Sequence, residues 1–562
     1  MSGGQLAVQR ELSELFRDAL AQAAQAGALA LDPDALPAPT LERPRLAEHG
    51  DWATNVALAL AKAAEAAPRA VAEAMVAHLK TPDWIEGVEV AGPGFVNVRL
   101  AHRWFEGLVR RVLAAGPQFG AIDLGGGERV NVEFISANPT GPLHVGNARL
   151  GPTGDALANL LATTGHEVGR EYYLNDTGTQ IELLGASVEA AYLRLLGRPA
   201  EPPPDGYKGG YIAELAEQLQ AEQGAGPADL DAAERQARII EWAYRRMLDT
   251  IKRTLARLGV EFDVWFSERT LHQTGAIAAA VAELRERGVV EDRDGAVWLR
   301  STRFGDDKDR PMIRSNGEPT YFGKDVAYYR DKRARGFDRL IFLWGADHHG
   351  YIPRLRAVVR AFGDPEGTAE FVIGQIVSLV RAGEPVRMSK RAGDIVTVDD
   401  LIDEVGKDAA RYEMLRFSVD TPMEFDIEAV TRQSMDNPVY YVQYAHARIA
   451  SVIRQAGEVG FAPVPSDAAD LGLLEHPLEQ VLLRRIAGYE EMVVVAATQR
   501  APHRLTRYLE ELAAAFHRFY GECRVLTDDP GLSSARWWLC MATRQVLANA
   551  LGVLGVTAPE RM

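Results

Sequence analysis

Two short stretches carry side chains suited to a phosphorylated nucleotide. The first, PLHVGNARL at 142–150, falls where a strand pattern gives way to a helix pattern. A helix start offers free N–H groups and the positive end of the peptide dipoles, and both favour phosphate. His144 can donate to a phosphoryl oxygen, Asn147 can donate through its amide, and Gly146 lets a base or ribose approach the backbone. The second, VRMSKRAGDIV at 386–396, sets Lys390 between Arg387 and Arg391, with Gly393 able to hinge the loop. A lysine here is not explained by abundance, because the chain has 9 Lys beside 53 Arg. Such a cationic loop suits a pyrophosphate leaving group, whose charge grows in an in-line displacement. Taken singly, each stretch also reads as ordinary structure: a helix start with an incidental His, and a solvated loop.

Further polar groups stand near these stretches. Glu133 lies within the apolar strand pattern VNVEFI, where an ionised carboxylate is costly unless paired, and Asn138 follows in the turn. Tyr321 and Asp325 are four apart and share one side of a helical turn, although Asp325 also reads as the N-cap of a helix over VAYYRDKRA. Asp347, His348 and His349 follow a strand pattern, RLIFLWG. Adjacent His side chains diverge and no third ligand stands at a useful spacing, so we expect no protein-bound metal and place these residues at the rim of a nucleotide pocket.

The elements that must position these residues form a multidomain α/β chain. Residues 7–30 and 55–79 are Ala-rich and predict helices, the second broken at Pro68, and VEVAGPGFVNVRL at 88–100 predicts a hairpin. Turn-rich sequence at 116–130 marks a first boundary, giving an α+β N-terminal domain over 1–118. A strand, turn and helix from Val130 to Thr163 open a parallel sheet, and we expect a Rossmann-like domain over 119–436. It carries helical insertions at about 185–260, a loop at 198–210 and short strands near 295–299 and 311–314. From 437 to 562 the period is helical throughout.

Together the two stretches resemble the paired signatures of class I aminoacyl-tRNA synthetases. His144–Asn147 corresponds to the His-Ile-Gly-His motif and Arg387–Arg391 to the Lys-Met-Ser-Lys-Ser loop, with Asn147 replacing the second His and Arg387 the first Lys. The wider stretch VEFISANPTGPLHVGNAR resembles the arginyl-tRNA synthetase family, and the likeness extends over nearly the whole chain. It implies an arginine–tRNA ligase that forms arginyl-adenylate from ATP and then charges the terminal ribose of tRNA. His144, Asn147, Lys390 and Arg387 would be catalytic. His144, Gly146, Asn147, Asp347, His349, Met388, Ser389 and Lys390 would bind ATP, which arrives with Mg2+. Arginine would contact Glu133, Ser136, Asn138, Tyr321 and Asp325, with Tyr321 closing over it; carboxylates suit a guanidinium. The family also implies a monomer.

Net charge alone speaks against RNA. The chain carries 62 basic and 78 acidic side chains, but the deficit is concentrated in 121–436, where 39 face 51. The flanking regions are nearly neutral, and 437–562 draws its positive charge from 12 Arg and no Lys. Tyr441, Tyr444 and Arg448 share one side of a helix, beside an apolar stripe of Val442, Ala445, Ile449 and Ile453, and suit unstacked anticodon bases as well as a plain core edge. By resemblance, Tyr520 and Met562 are also anticodon-proximal, and Phe95 and Asn97 on the hairpin face the D-loop of tRNA. Phe95 could instead simply anchor the hairpin. Two cysteines exclude a disulfide framework, and the absence of a signal-type or membrane-length apolar run leads us to expect a cytosolic protein. Two other readings remain: a class I synthetase for another amino acid, lysine above all, and a non-catalytic tRNA-binding paralogue.

Overall fold

The computed structural model describes residues 6–44, 46–386 and 396–562, with the side chains of Ala47 and Asn147 outside that description. Near the N-terminus, helix Pro68–Ala77 packs on a three-stranded antiparallel sheet containing the hairpin Ile85–Ala91 and Phe95–Leu100, and helix Ala7–Gln25 packs on that helix. Pro68 is the first residue of its helix, which fits its fixed φ and missing N–H.

The central region is built on a parallel sheet of β1 (Arg129–Glu133), β2 (Glu167–Leu174), β3 (Val264–Ser267), β4 (Arg339–Gly345) and β5 (Ala369–Gly374), in the order β5-β4-β1-β2-β3. The order reverses direction at β1, so its carboxyl end is the crevice in which such sheets hold ligands. Helix α1 (Leu150–Thr163) follows β1. The inserted helices are α2 (Thr179–Leu195), Gly210–Gln223 and α3 (Ala232–Arg257), so the helical insertion starts earlier than its sequence pattern suggested. The expected short strands are Ala296–Leu299 and Arg310–Ile313; they belong to a separate antiparallel sheet with Val290–Arg293. Helix α4 (Tyr321–Ala334) packs over the face of the sheet that carries Asn131, Glu133 and Glu171.

Helix α5 (Lys407–Leu415) leads to an all-helical region with α6 (Pro438–Glu458), α7 (His503–Glu522) and α8 (Pro530–Val553). Val442, Ala445 and Ile449 are buried as the stripe predicted, whereas Ile453 is half-buried and its neighbour Val452 is buried. Cys523 and Cys540 are both buried there. Among the described residues no helix is long and apolar enough to cross a membrane.

Candidate active site

The chain breaks sharply after β1. Ile135 and Ser136 both adopt positive φ, 66° and 44°, a conformation costly for a β-branched residue and held only where neighbours enforce it. Here the enforcement is visible: the Tyr173 N–H donates to Ser136 Oγ at 3.1 Å, and the Tyr172 hydroxyl to the Ala137 carbonyl at 2.8 Å. The break leaves Glu133 at the strand end and carries the chain to the rim, where exposed Asn138 donates to Gln180 at 2.6 Å.

His144 occupies the N-cap position of the short helix Val145–Ala148, in extended conformation. Its ring lies against Gly146, where a Cβ would stand 3.0 Å from the imidazole Nδ1. Gly146 therefore makes room for His144 itself, a use the motif alone did not reveal. The other signature returns to the same place. The Val145 N–H donates to the Val396 carbonyl at 3.2 Å, the Val398 N–H to Leu143 at 2.8 Å, and His144 and Thr397 form an antiparallel bridge. Residues Arg387, Met388, Ser389 and Lys390 lie outside the described residues, as does the side chain of Asn147.

Four carboxylates, Glu133, Glu171, Glu268 and Asp325, gather between the sheet and α4. Glu133 and Glu171 are register partners on β1 and β2, and like charges so placed repel. Fully buried Lys332 resolves the conflict: its Nζ lies 2.7 Å from Glu133 and 3.5 Å from Glu171, and it donates to Asn131 Oδ1 at 2.5 Å. Tyr328 donates to Glu133 at 2.9 Å, and Arg335 forks onto Glu171 at 2.6 and 3.0 Å. Burial alone would raise the Glu171 carboxyl, but Lys332 and Arg335 hold it down at about 2. Glu268 accepts from Tyr173 at 2.7 Å and from Lys324 at 2.6 Å.

Asp325 is the carboxylate without a cation of its own among the described ion pairs, and it accepts from the Tyr351 hydroxyl. Desolvation pushes it up to about 7, with Glu268 and Glu133 adding to the rise and Tyr351 and Lys324 opposing it. Helix α4 begins at Tyr321, four residues before Asp325, with Thr320 as its cap accepting from Gly323 at 3.0 Å. Asp325 therefore does not cap this helix but lies within it, one turn past its start. Tyr321 is 68 % exposed at the helix start, its ring 5.0 Å from the Lys324 ammonium. Asp347 and His349 are exposed in the turn Ala346–Tyr351 that ends β4. That same turn delivers Tyr351 to Asp325.

The residues expected to meet RNA separate into two groups. Arg448 donates to the Tyr444 hydroxyl at 3.0 Å and lies over the rings of Tyr444 and Tyr520, at 4.5 and 5.1 Å. Tyr441 packs on His517, which lies 6.0 Å from Tyr444. Met562 lines a pocket of about 490 Å³ with Asn437, Tyr440 and Gln443. On the hairpin, Phe95 is 37 % exposed but Asn97 only 8 %, because Asn97 pairs on both sides in the middle strand. They do not present a joint surface.

Three family descriptions match in succession: Arginyl tRNA synthetase N terminal domain over residues 10–100, tRNA synthetases class I (R), catalytic domain over 108–431, and DALR anticodon binding domain over 442–562. The arginine–tRNA ligase of Frankia alni is 52% identical over 93% of this chain and 94% of its own. The chain belongs to the arginyl-tRNA synthetase family. The arginine–tRNA ligase of Moorella thermoacetica is 47% identical over 99% of both chains. The Thermus thermophilus arginyl-tRNA synthetase structure shares the fold, with a TM-score of 0.74 over 99% of this chain and 100% of that one at 24% identity. For a chain of this family the sequence motifs missed Lys332, Glu171, Glu268 and Tyr351. The one signal for Lys332 was its rarity; the others carry none, being ordinary residue types in helix or strand context.

Proposed function

We propose that the chain is an arginine–tRNA ligase, joining arginine to ATP as arginyl-adenylate with release of pyrophosphate and then transferring arginine to the terminal ribose of its tRNA with release of AMP. The observation that carries the reading is the convergence of Asp325, Glu268 and Glu133 at the carboxyl end of β1. Glu133 and Glu268 already hold ammonium groups, whereas Asp325 is set among carboxylates and hydroxyls, an arrangement that favours a ligand cation. Planar, bidentate recognition favours guanidinium over the ammonium of lysine.

In this reading arginine's carboxylate attacks the α-phosphorus of ATP, which enters with Mg2+. His144 and Asn147 donate to the phosphoryl oxygens, and Lys390, with Arg387, stabilises the departing pyrophosphate. Positioning and charge stabilisation do the work, and no protein nucleophile is needed. Gly146, Asp347, His349, Met388 and Ser389 line the ATP side; Ser136, Asn138 and Tyr321 complete the arginine side. The Tyr444–Arg448–Tyr520 cluster, with Tyr441 and Met562, grips the anticodon loop, while Phe95 meets the outer corner of tRNA. Domain boundaries at 118/119 and 436/437, a monomeric state and a cytoplasmic location belong to the same proposal. Pyrophosphate exchange in the presence of tRNA tests it: exchange is expected with arginine, and exchange with lysine but not arginine overturns it. Lys390→Ala that left aminoacylation unchanged would remove the catalytic assignment of the loop.

A further inference from the structure

Two arginines that no motif reading assigned are crossed between the helix after the His144 turn and helix α5. Arg149, the residue joining that turn to α1, is 2 % exposed. Its guanidinium donates only to carbonyls: Ser418 and Thr421 at 2.6 Å, Phe417 at 2.9 Å, Met414 at 3.3 Å and Val419 at 3.4 Å. No carboxylate lies in ion-pair range of it among the described residues. These oxygens belong to the C-terminal end of α5 and the turn beyond it, where unsatisfied carbonyls carry the negative end of the helix dipole. Arg411, fully buried on α5, reaches the opposite way. It meets Asp155 on α1 at 2.5 Å, Gly259 and Leu258 at 2.7 and 3.0 Å, and Leu554 at 2.9 Å.

The surroundings are shaped for these groups. Gly555, at φ 68°, ends α8, and a Cβ there would stand 2.2 Å from Arg411 Nη2. Arg411 thus caps the carbonyl ends of α3 and α8 while holding α1. Helix α5 is also tied to the C-terminal helices: Tyr412 donates to the Thr506 carbonyl at 3.1 Å, and Gln443 donates to Asp408 at 2.9 Å. The strand that follows, Met423–Asp426, pairs with Val377–Arg381, from which the chain enters the second signature.

We propose that Arg149 and Arg411 are positioning residues for adenylate formation, acting as one crossed brace that fixes the His144–Asn147 turn and α1 against helix α5. The inference rests on the ligase reading above. Nothing in it requires either arginine to touch a substrate; both act through the turn they hold.

The test is pyrophosphate exchange per active site on the full chain with tRNA present, for Arg149→Lys, Arg411→Lys and the double variant. Each lysine keeps the charge but not the fork, so each single variant is expected to raise KM for ATP and to lower exchange kcat about 10- to 100-fold. The tRNA Kd should stay within about twofold. Because the two act as a unit, the double variant should lose little more than the worse single one. Folded variants with unchanged kcat and KM, or losses that multiply fully, overturn the proposal. If the lysine variants do not fold, Asp155→Asn, which removes the carboxylate facing Arg411, is expected to move KM for ATP in the same direction, and an unchanged KM refutes the brace. Absence of arginine exchange in the unaltered protein would instead sink the ligase reading.

Discussion

Asp325 is the residue on which pH should act. Burial, with Glu268 and Glu133 nearby, pushes its carboxyl up to about 7 from an ordinary value of 3.8. In the proposed arginine site a guanidinium would bind the ionised form, so arginine binding there must expel a proton below that value. KM for arginine is therefore expected to rise as pH falls from 8 to 6, approaching tenfold per unit on the acid side. Asp325→Asn should raise KM and flatten this profile; a profile unchanged by that substitution would refute the assignment. For stability the sign is opposite to that of a salt-bridged carboxylate. The raised value means the folded state binds the proton more tightly, so this contribution is present below about 4 and is lost as pH rises through 7.

Lys332 makes a second prediction at this scale. It is fully buried between Glu133 and Glu171, and removing one partner of a buried ionic group leaves the others uncompensated. Lys332→Met is expected to destabilise the protein by about 3–5 kcal/mol in denaturant unfolding. A loss under 1 kcal/mol would show that Tyr328, Asn131 and Arg335 alone satisfy the carboxylates. Glu133 was legible in the sequence, because a carboxylate in an apolar strand demands a reason. Its partner was not, since Lys332 is 199 positions away and only the packing of α4 on the sheet joins them.

At the scale of elements, local pattern was the most legible layer. Strand β4 matches RLIFLWG residue for residue and the hairpin and β1 lie within about three residues of their patterns, whereas the first helix ends at Gln25, short of the end of its Ala-rich pattern. What pattern could not supply was which element meets which. The start of α4 moved from Asp325 to Tyr321 because Thr320 satisfies the first turn, a choice made between two plausible caps by the neighbouring strand Arg310–Ile313. The approach of α1 to the sheet is likewise set by contact, since a Cβ at Gly154 would stand 2.2 Å from the Phe134 ring. Gly154→Ala is therefore expected to cost about 1–3 kcal/mol by overpacking and to lower exchange activity as α1 is pushed off β1. Calorimetry and exchange assays would check both, and a variant of unchanged melting temperature would refute the tight approach.

On the scale of the molecule, the N-terminal module docks directly on the C-terminal helices, which no motif announced. Arg484 pairs with buried Asp51 at 3.2 Å and lies over Phe105 at 5.3 Å; Arg111 meets Glu490 at 2.9 Å, Arg43 meets Glu491, and His102 reaches the Leu471 carbonyl at 3.0 Å. Several Arg of the acidic chain are thus spent on joining modules and are not open to phosphate. Arg484→Ala is expected to weaken tRNA binding a few-fold while KM for ATP stays unchanged, since it loosens the docking of a module proposed to grip RNA and touches nothing near β1. Filter binding at fixed salt measures the first and exchange kinetics the second. An unaltered tRNA affinity would show that the docking has no part in recognition.

The two cysteines acquire a use from where they lie. Both are buried in the helical module, and burial pushes the Cys540 thiol up to about 12 and raises Cys523 as well. A thiol reagent in neutral buffer meets neither a thiolate nor a path to one until those helices open. The rate of alkylation is then a clock for openings of that module alone, running without any introduced label. Because Arg411 fastens Leu554 to α1, the same clock reports across the molecule: slower alkylation on adding ATP and arginine would be the signature of a tightened brace, read at a site that contacts neither ligand.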